Sequence, residues 1–420
     1  MVLDIQEKTN SSKGKVFMQL SYNESIMLHE KKLLCHTYGR YPIHVVEAHG
    51  SIILDANGNK FIDLLSGLAV TSLGHCNEEI AEVIEKQARK LIHTSNLLYH
   101  DEQLELAERL LSMGHFTKVF FSNSGAEANE TSFKLTRRYM QHIKKCNAFE
   151  IISLEGSFHG RTLTTVAATG QPSLKEGFAP MPNGFKQVPW NDLVALEEAI
   201  TPSTAAVLIE IIQGEGGVRP MDSDYIIGIE KLCRKHDLLL IVDEIQTGLC
   251  RTGQYWAFQH FPIKPDILSC AKALANGLPI SAILTTDEIA QAFVVGSHGT
   301  TFGGGPLISA VATKTIEIMQ RDNLHKRAEK LGNIFIQRLK NIANRHPTKI
   351  QEVRGMGLMI GIVLPCPGKP LWEKLLQKGF LLNLTQNNIL RLLPALTIDE
   401  HYLETFAQTL EDTLEKYIQE

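Results

Sequence analysis

The sequence predicts an α/β protein: a large domain on a mostly parallel central sheet, with a smaller α+β domain built from the N- and C-terminal segments. Three observations predict it. The middle of the chain alternates apolar, strand-like runs with helical or loop segments, the pattern of parallel strands covered by helices on both faces. After about residue 315 the texture changes, and helical segments surround one apolar run at 358–364. Finally, 420 residues exceed one compact core, since domains run to roughly 100–200 residues.

Taken in order, residues 1–30 are polar and mixed in charge and read as a loosely held arm. Residues 31–70 give the N-terminal piece of the small domain. Within it two apolar runs between 51 and 63 flank Asn57-Gly58, a hairpin turn. Residues 71–315 form the large domain. It opens with helical spacing over 78–91 and 102–111, and its strand-like runs fall at 118–121, 150–154, 185–188, 205–209, 238–242, 266–269 and 280–284. The Gly- and Pro-rich stretch 169–189 reads as a long loop. Residues 316–420 complete the small domain, with a flexible Arg-Gly-Met-Gly at 354–357. A last helix carries Leu403, Phe406, Leu410 and Leu414 on one stripe.

Composition narrows the function. Forty-two basic against 46 acidic residues give a net charge of −4, without the polycationic footprint of a nucleic-acid binder. No apolar run approaches the ~20 residues of a membrane helix, and the first residues lack an apolar signal core. Seven scattered cysteines show neither CxxC nor metal-finger spacing, so no metal site is expected. A cytoplasmic protein acting on small molecules is the expectation.

In a parallel sheet, ligands gather beyond the carboxyl ends of the strands. After the run at 118–121 comes SNSGAEANE (122–130). Ser124 and Glu127 have capping-box spacing, and Gly125 permits close backbone approach, so the helix start offers N–H groups to an anion such as phosphate. Alone, this is only a capped helix. After 150–154 comes GSFHGRT, whose Phe158 could stack on a planar ring and whose Arg161 could fork onto a carboxylate. Glu210 and Glu215, set among glycines, follow 205–209. Asp243 directly follows five buried aliphatics, where a carboxylate is costly without a partner. The run at 266–269 leads through Cys270 and Ala271 to Lys272, where burial would lower its pKa and make it a nucleophilic amine. Together these parts suit a pyridine aldehyde phosphate: amine for the aldehyde, acid for the ring nitrogen, helix start for the phosphate.

With these residues in hand, the chain resembles the class III pyridoxal-phosphate aminotransferases of fold type I. The resemblance runs from about Thr37 to the last helix, through seven ordered blocks: SLGHCN (72–77), FFSNSGAEANE (120–130), FHGRTL (158–163), EIIQGEGGV (210–218), VDEIQTGLCRTG (242–253), CAKALANGLP (270–279) and HGTTFGG (298–304). It implies pyridoxal 5'-phosphate as cofactor, with Lys272 condensing with its aldehyde and then carrying the transferred proton. Asp243 would pair with the ring nitrogen, Gln246 with the ring hydroxyl, and Phe158 would stack on the ring. Glu244 and Ile245, between Asp243 and Gln246, belong to the same cofactor-binding block. Backbone at Gly125 and Ala126 would take the phosphate, helped by Thr301 of a second subunit, which implies a homodimer with shared active sites.

The resemblance also implies a substrate division. Arg161 and Arg391 would clamp the two carboxylates of 2-oxoglutarate, with Glu215 neutralising Arg391 when the donor carries one carboxylate only. Thr300 and Tyr38 would line the substrate side. Leu68 stands where ornithine-specific relatives usually carry tyrosine, which points to the branch that takes N-acetylornithine. Succinylornithine, succinyl-diaminopimelate, ornithine and 4-aminobutyrate are the alternative donors. One departure is Gly305, where the family commonly has asparagine; a looser turn is expected there.

Overall fold

The computed structural model describes residues 22–416. Its centre is a seven-stranded sheet, labelled here in chain order: β1 Lys118–Ser122, β2 Glu150–Leu154, β3 Phe185–Val188, β4 Thr204–Ile209, β5 Leu239–Asp243, β6 Ile267–Cys270 and β7 Ser281–Thr285. The spatial order is β1-β7-β6-β5-β4-β2-β3, and only β7 runs antiparallel to its neighbours. β4 to β7 are buried along their whole length, as expected of strands covered on both faces. Successive side chains of β5 alternate between two cores. Leu239 and Ile241 pack with Phe133 and Met140 of the helix Gly125–His142; Leu240 and Val242 pack with Ile226 and Ile229 of the helix Ser223–Lys235.

Two four-stranded sheets flank this core. One joins Val45–His49, Ile52–Asp55 and Lys60–Asp63 to Phe380–Leu381, so the N-terminal hairpin and the C-terminal part are knitted together by a parallel pair. The turn at 57–58 lies where expected, tied by Asp55, whose carboxylate accepts from Asn57 and Asn59 N–H groups at 2.9 and 2.8 Å. The other is antiparallel, in the order Glu352–Met356, Met359–Val363, Ile389–Leu392, Asn383–Thr385. The last helix, Glu400–Lys416, buries Leu403, Phe406, Leu410 and Leu414 as its stripe predicts.

Three sequence expectations are corrected. Residues 354–357 are not a flexible link: most of them belong to the strand Glu352–Met356, and Gly355 is needed because a Cβ there would lie 2.0 Å from the Met359 carbonyl. The end of the expected arm is helical over Tyr22–Leu33, while residues 1–21 lie outside the described residues. Gly305 is no loose turn. It occupies the N-cap of the helix Pro306–Arg321 with φ −63°, and lacks only the capping side chain that asparagine would add, a difference of a few tenths of a kcal/mol.

Candidate active site

The carboxyl ends of β1, β2, β4, β5 and β6 converge on a cavity of about 400 Å³. Gly125, Ala126, Phe158, Arg161, Glu215, Asp243, Ile245, Gln246 and Lys272, all singled out from the sequence, line it. Lys272 lies just past β6, on a turn with φ +40°, a left-handed backbone that a lysine adopts only under constraint from its surroundings. Burial pushes its amine below the usual lysine value. The carboxylate of Glu215 opposes that fall, Arg391 adds to it, and Asp243 and Glu210 oppose it again.

Asp243 closes β5 and is almost fully buried, yet it is well partnered. Its Oδ2 accepts from Asn129 Nδ2 at 2.8 Å and lies 2.8 Å from His159 Nδ1; its Oδ1 accepts from the Ile245 N–H at 3.1 Å. A ring nitrogen facing a carboxylate carries the proton, so His159 Nδ1 donates. Asn129 is itself oriented, donating to the His159 carbonyl and accepting from Ser269 Oγ. These two holders, Asn129 and His159, have no assigned role in the sequence reading. The signal for Asn129 was a polar residue four positions after Gly125, on the helix face that meets the sheet.

At the start of the helix Gly125–His142, Ser124 Oγ accepts from the Glu127 N–H at 3.2 Å. The return arm of the box is displaced by one residue: Glu127 accepts from the Asn123 N–H at 2.7 Å rather than from the Ser124 N–H, with Ser124 Oγ at 3.4 Å. The N–H groups of Gly125 and Ala126 take no partner among the described residues, and both residues line the cavity. A Cβ at Gly125 would come within 2.9 Å of Ile245 Cδ1, so this approach requires glycine.

On the small-domain side, Arg391 on Ile389–Leu392 is buried and donates to Glu215 Oε1 at 2.6 Å and Asn383 Oδ1 at 2.8 Å, with Gln246 Oε1 at 3.4 Å. Burial raises the Glu215 carboxyl, but the Arg391 guanidinium overrides this and holds it below the usual carboxylate range. Arg161 is different. It is exposed, and its guanidinium lies 5.5 Å over the Phe158 ring with no carboxylate of the described residues engaged. Glu210 accepts from the Phe158 N–H at 3.0 Å and the Gly214 N–H at 3.3 Å; burial pushes its carboxyl well up, opposed by His159 and aided by Asp243.

Three expected residues, Glu244, Thr300 and Tyr38, lie outside the cavity, as does Thr301, whose expected place is a second subunit's site. Glu244, adjacent to Asp243 on an extended backbone, points the opposite way, into the core. There it accepts from Thr247 Oγ1 at 2.5 Å and the Phe258 N–H at 2.8 Å, and burial pushes it up to about 7. Thr300 and Thr301 line a separate cavity of about 640 Å³ with Asn96, Gln103 and Phe120; Thr300 touches the main site only through its hydroxyl, which accepts from Asn123 Nδ2 at 3.1 Å. Tyr38 is 69% exposed on the N-terminal segment, beside Arg40, and does not reach the cavity of its own chain.

Comparison with known proteins agrees with this geometry. The profile of the aminotransferase class-III family matches residues 35–414. The acetylornithine aminotransferase of Methanocaldococcus jannaschii is 44% identical over 383 residues, 91% of this chain and 96% of that protein. The crystal structure of acetylornithine aminotransferase from Elizabethkingia anophelis superposes with a TM-score of 0.85 at 34% identity, covering 95% of this chain and 100% of the other. An ornithine aminotransferase from Toxoplasma gondii, whose structure has pyridoxal phosphate at partial occupancy in its active site, superposes at 0.91 with 31% identity and 94% coverage of each chain. Pyridoxal phosphate is the general cofactor of these enzymes. A match over nearly all the described chain, on the fold that brings Lys272 and Asp243 into one cavity, makes this protein an aminotransferase belonging to class III.

Proposed function

We propose that the cavity holds pyridoxal 5'-phosphate and that the enzyme moves the ω-amino group of N-acetylornithine to 2-oxoglutarate, giving N-acetylglutamate 5-semialdehyde and glutamate. The observation that carries the substrate reading is the asymmetry of the two arginines: Arg391 is buried and neutralised by Glu215, whereas Arg161 is exposed and pairs with no carboxylate among the described residues. A donor with one carboxylate and a keto acid with two can then share one site.

The residues present fit the cofactor. Unpartnered N–H groups at Gly125 and Ala126 suit a phosphate, the unpaired amine of Lys272 suits an aldehyde, and the anchored carboxylate of Asp243 suits a protonated ring nitrogen. Bound there, the cofactor supplies an electrophilic carbonyl and an electron-accepting ring. Everything else falls to the chain. Phe158 offers a ring face, and the Glu210 carboxylate fixes its backbone. Lys272 Nζ, with its affinity for protons reduced by burial, gives and takes the proton at the reacting carbon. Arg161 binds the carboxylate common to both substrates. Glu215 stays on Arg391 for the donor and leaves it for the second carboxylate of the keto acid.

We further infer a cytoplasmic homodimer in which Thr301, and on the substrate side Tyr38, complete the partner's site. Leu97, Tyr99 and Phe302 are exposed apolar residues near the Thr300–Thr301 cavity, and Leu33, Leu34 and Val45 are exposed around Tyr38, the kind of surface an interface covers. Light scattering giving the mass of one chain, 46.8 kDa, under assay conditions contradicts the dimer.

A panel of N-acetylornithine, succinylornithine, succinyl-diaminopimelate, ornithine and 4-aminobutyrate, ranked by kcat/KM with 2-oxoglutarate, tests the donor; the reading fails if N-acetylornithine is not first. The arginines should separate. Arg161→Ala is expected to weaken both half-reactions, and Arg391→Ala mainly the keto-acid half, each by on the order of 10- to 100-fold, the scale of lost charged hydrogen bonds. Single-turnover rates for each half-reaction check this, and equal losses in both halves for both variants would refute the division.

A further inference from the structure

The proposed reading asks Glu215 to be on Arg391 in one half-reaction and off it in the other. Only the carboxylate is free to make that change. Arg391 is 1% exposed and held by Asn383, while the Glu215 side chain is 30% exposed. The backbone around Glu215 is clamped. Its carbonyl accepts from Thr385 Oγ1 at 3.0 Å and from Gln386 Nε2 at 2.8 Å. Two residues on, Arg354 donates to the Gly217 carbonyl at 2.9 Å and to the Val218 carbonyl at 2.9 Å. Gly217 has φ +102°, and a Cβ there would stand 2.4 Å from Ile389 Cδ1.

All these clamping side chains come from the antiparallel sheet that carries Arg391, or from its hairpin turn. The register is continuous: Arg354 pairs with Gly361, Gly361 with Arg391, and Arg391 with Asn383, while Thr385 pairs with Ile389. The turn is also unusual. Gln386 and Asn387 have φ of +49° and +64°; asparagine tolerates the left-handed region, glutamine has no such preference. A residue held against its preference, whose side chain reaches one specific carbonyl, points to a requirement for that reach.

We propose that Thr385 and Gln386 are positioning residues that fix the Glu215 backbone to the sheet bearing Arg391, so that the ion pair opens and closes by rotation of the Glu215 side chain alone. This rests on the reading in which Glu215 neutralises Arg391 for the mono-acid donor. Two hydrogen bonds that touch no substrate then set the balance between donor and dicarboxylate. Loosening them leaves Arg391 less well neutralised, which penalises the donor and favours any dicarboxylate.

The holoenzyme and its Thr385→Val, Gln386→Asn and double variants test this. Gln386→Asn relieves the backbone, since asparagine suits the left-handed turn, but is one methylene too short to reach the carbonyl. It therefore separates strain from reach. The donor half-reaction is expected to fall roughly three- to tenfold per hydrogen bond, with the keto-acid half within about twofold of wild type. The calorimetric Kd for glutarate, an unreactive dicarboxylate, should tighten by a similar factor, and Tm for Gln386→Asn should hold or rise. Unchanged ratios of the two half-reactions, or equal losses in both with a lower Tm and unchanged glutarate binding, overturn the proposal. Glu215→Gln serves as the control: if it shifts donor and glutarate while the clamp variants do not, the clamp alone is wrong. If Glu215→Gln shifts neither, the neutralisation reading fails first.

Discussion

Lys272→Ala is expected to abolish amino transfer with either substrate. No other lysine among the described residues lines the cavity, and the neighbouring side chains that could handle a proton, His159, Glu210, Glu215 and Asp243, have no primary amine to condense with a carbonyl. The loss should exceed about 10³-fold, within the range for removing a group that moves the reacting proton. Borohydride treatment of the cofactor-loaded wild type should fix the cofactor to the peptide containing position 272, and the variant should fix none. Stability is not expected to suffer. The Lys272 amine makes no hydrogen bond or ion pair among the described residues, so its removal leaves no partner stranded and discards a buried amine that burial already penalises. Turnover near the wild-type rate, or label on another lysine, would show that a different amine does the work.

The strands that position this lysine were legible because they are buried on both faces. Runs such as 205–209 and 238–242 are uninterrupted aliphatics each ending at an acid; the observed strand Thr204–Ile209 begins one residue earlier and Leu239–Asp243 is shifted by one. Short edge strands left no such trace. Val45–His49 is mostly exposed, and Phe380–Leu381 is two residues long, so neither develops a period. The Gly-rich 354–357 failed for another reason: sequence alone cannot say whether a glycine serves flexibility or close approach, and Gly355 serves approach.

The candidate site divides in the same way. Lys272, Asp243 and Gly125 were legible because a charged or bare residue at the tip of a buried strand is expensive or unusual by itself. Glu244 was misplaced because adjacent positions in extended chain face opposite ways, and a block of neighbours cannot all point into one cavity. Ser66, Leu68 and Ala69, with Gly67, form four successive left-handed residues beside the cavity-lining Val70. One glycine in that stretch gave no warning of it. What holds the turn is tertiary: Asp63, itself 2.7 Å from His75, accepts from the N–H groups of Leu65 and Ser66.

Asp243→Asn should be the second most damaging change, and it separates charge from scaffold. Asp243 Oδ2 already serves Asn129 and His159, and an amide oxygen in the same place can accept from both; the amide NH2 then faces the Ile245 N–H that Oδ1 now accepts, so that one part-buried hydrogen bond is given up. The fold and the orientation of His159 are expected to survive, with Tm near wild type apart from that bond. What is lost is the negative charge that keeps a facing ring nitrogen protonated. Fixed charge in a buried site is worth far more than in water, and loss of one such group costs about 10²–10³-fold in kcat. Asp243→Ala should be worse in both respects. It removes the acceptor of three donors, Asn129 Nδ2, His159 Nδ1 and the Ile245 N–H, each unsatisfied buried donor costing about 1–3 kcal/mol, so Tm should fall along with activity. Paired measurements decide the matter: Asp243→Asn with wild-type Tm and a 10²-fold or greater loss supports an electrostatic role. Activity within about tenfold of wild type at unchanged Tm would mean that Asp243 is there to hold His159 and Asn129, and that the ring nitrogen finds its proton elsewhere.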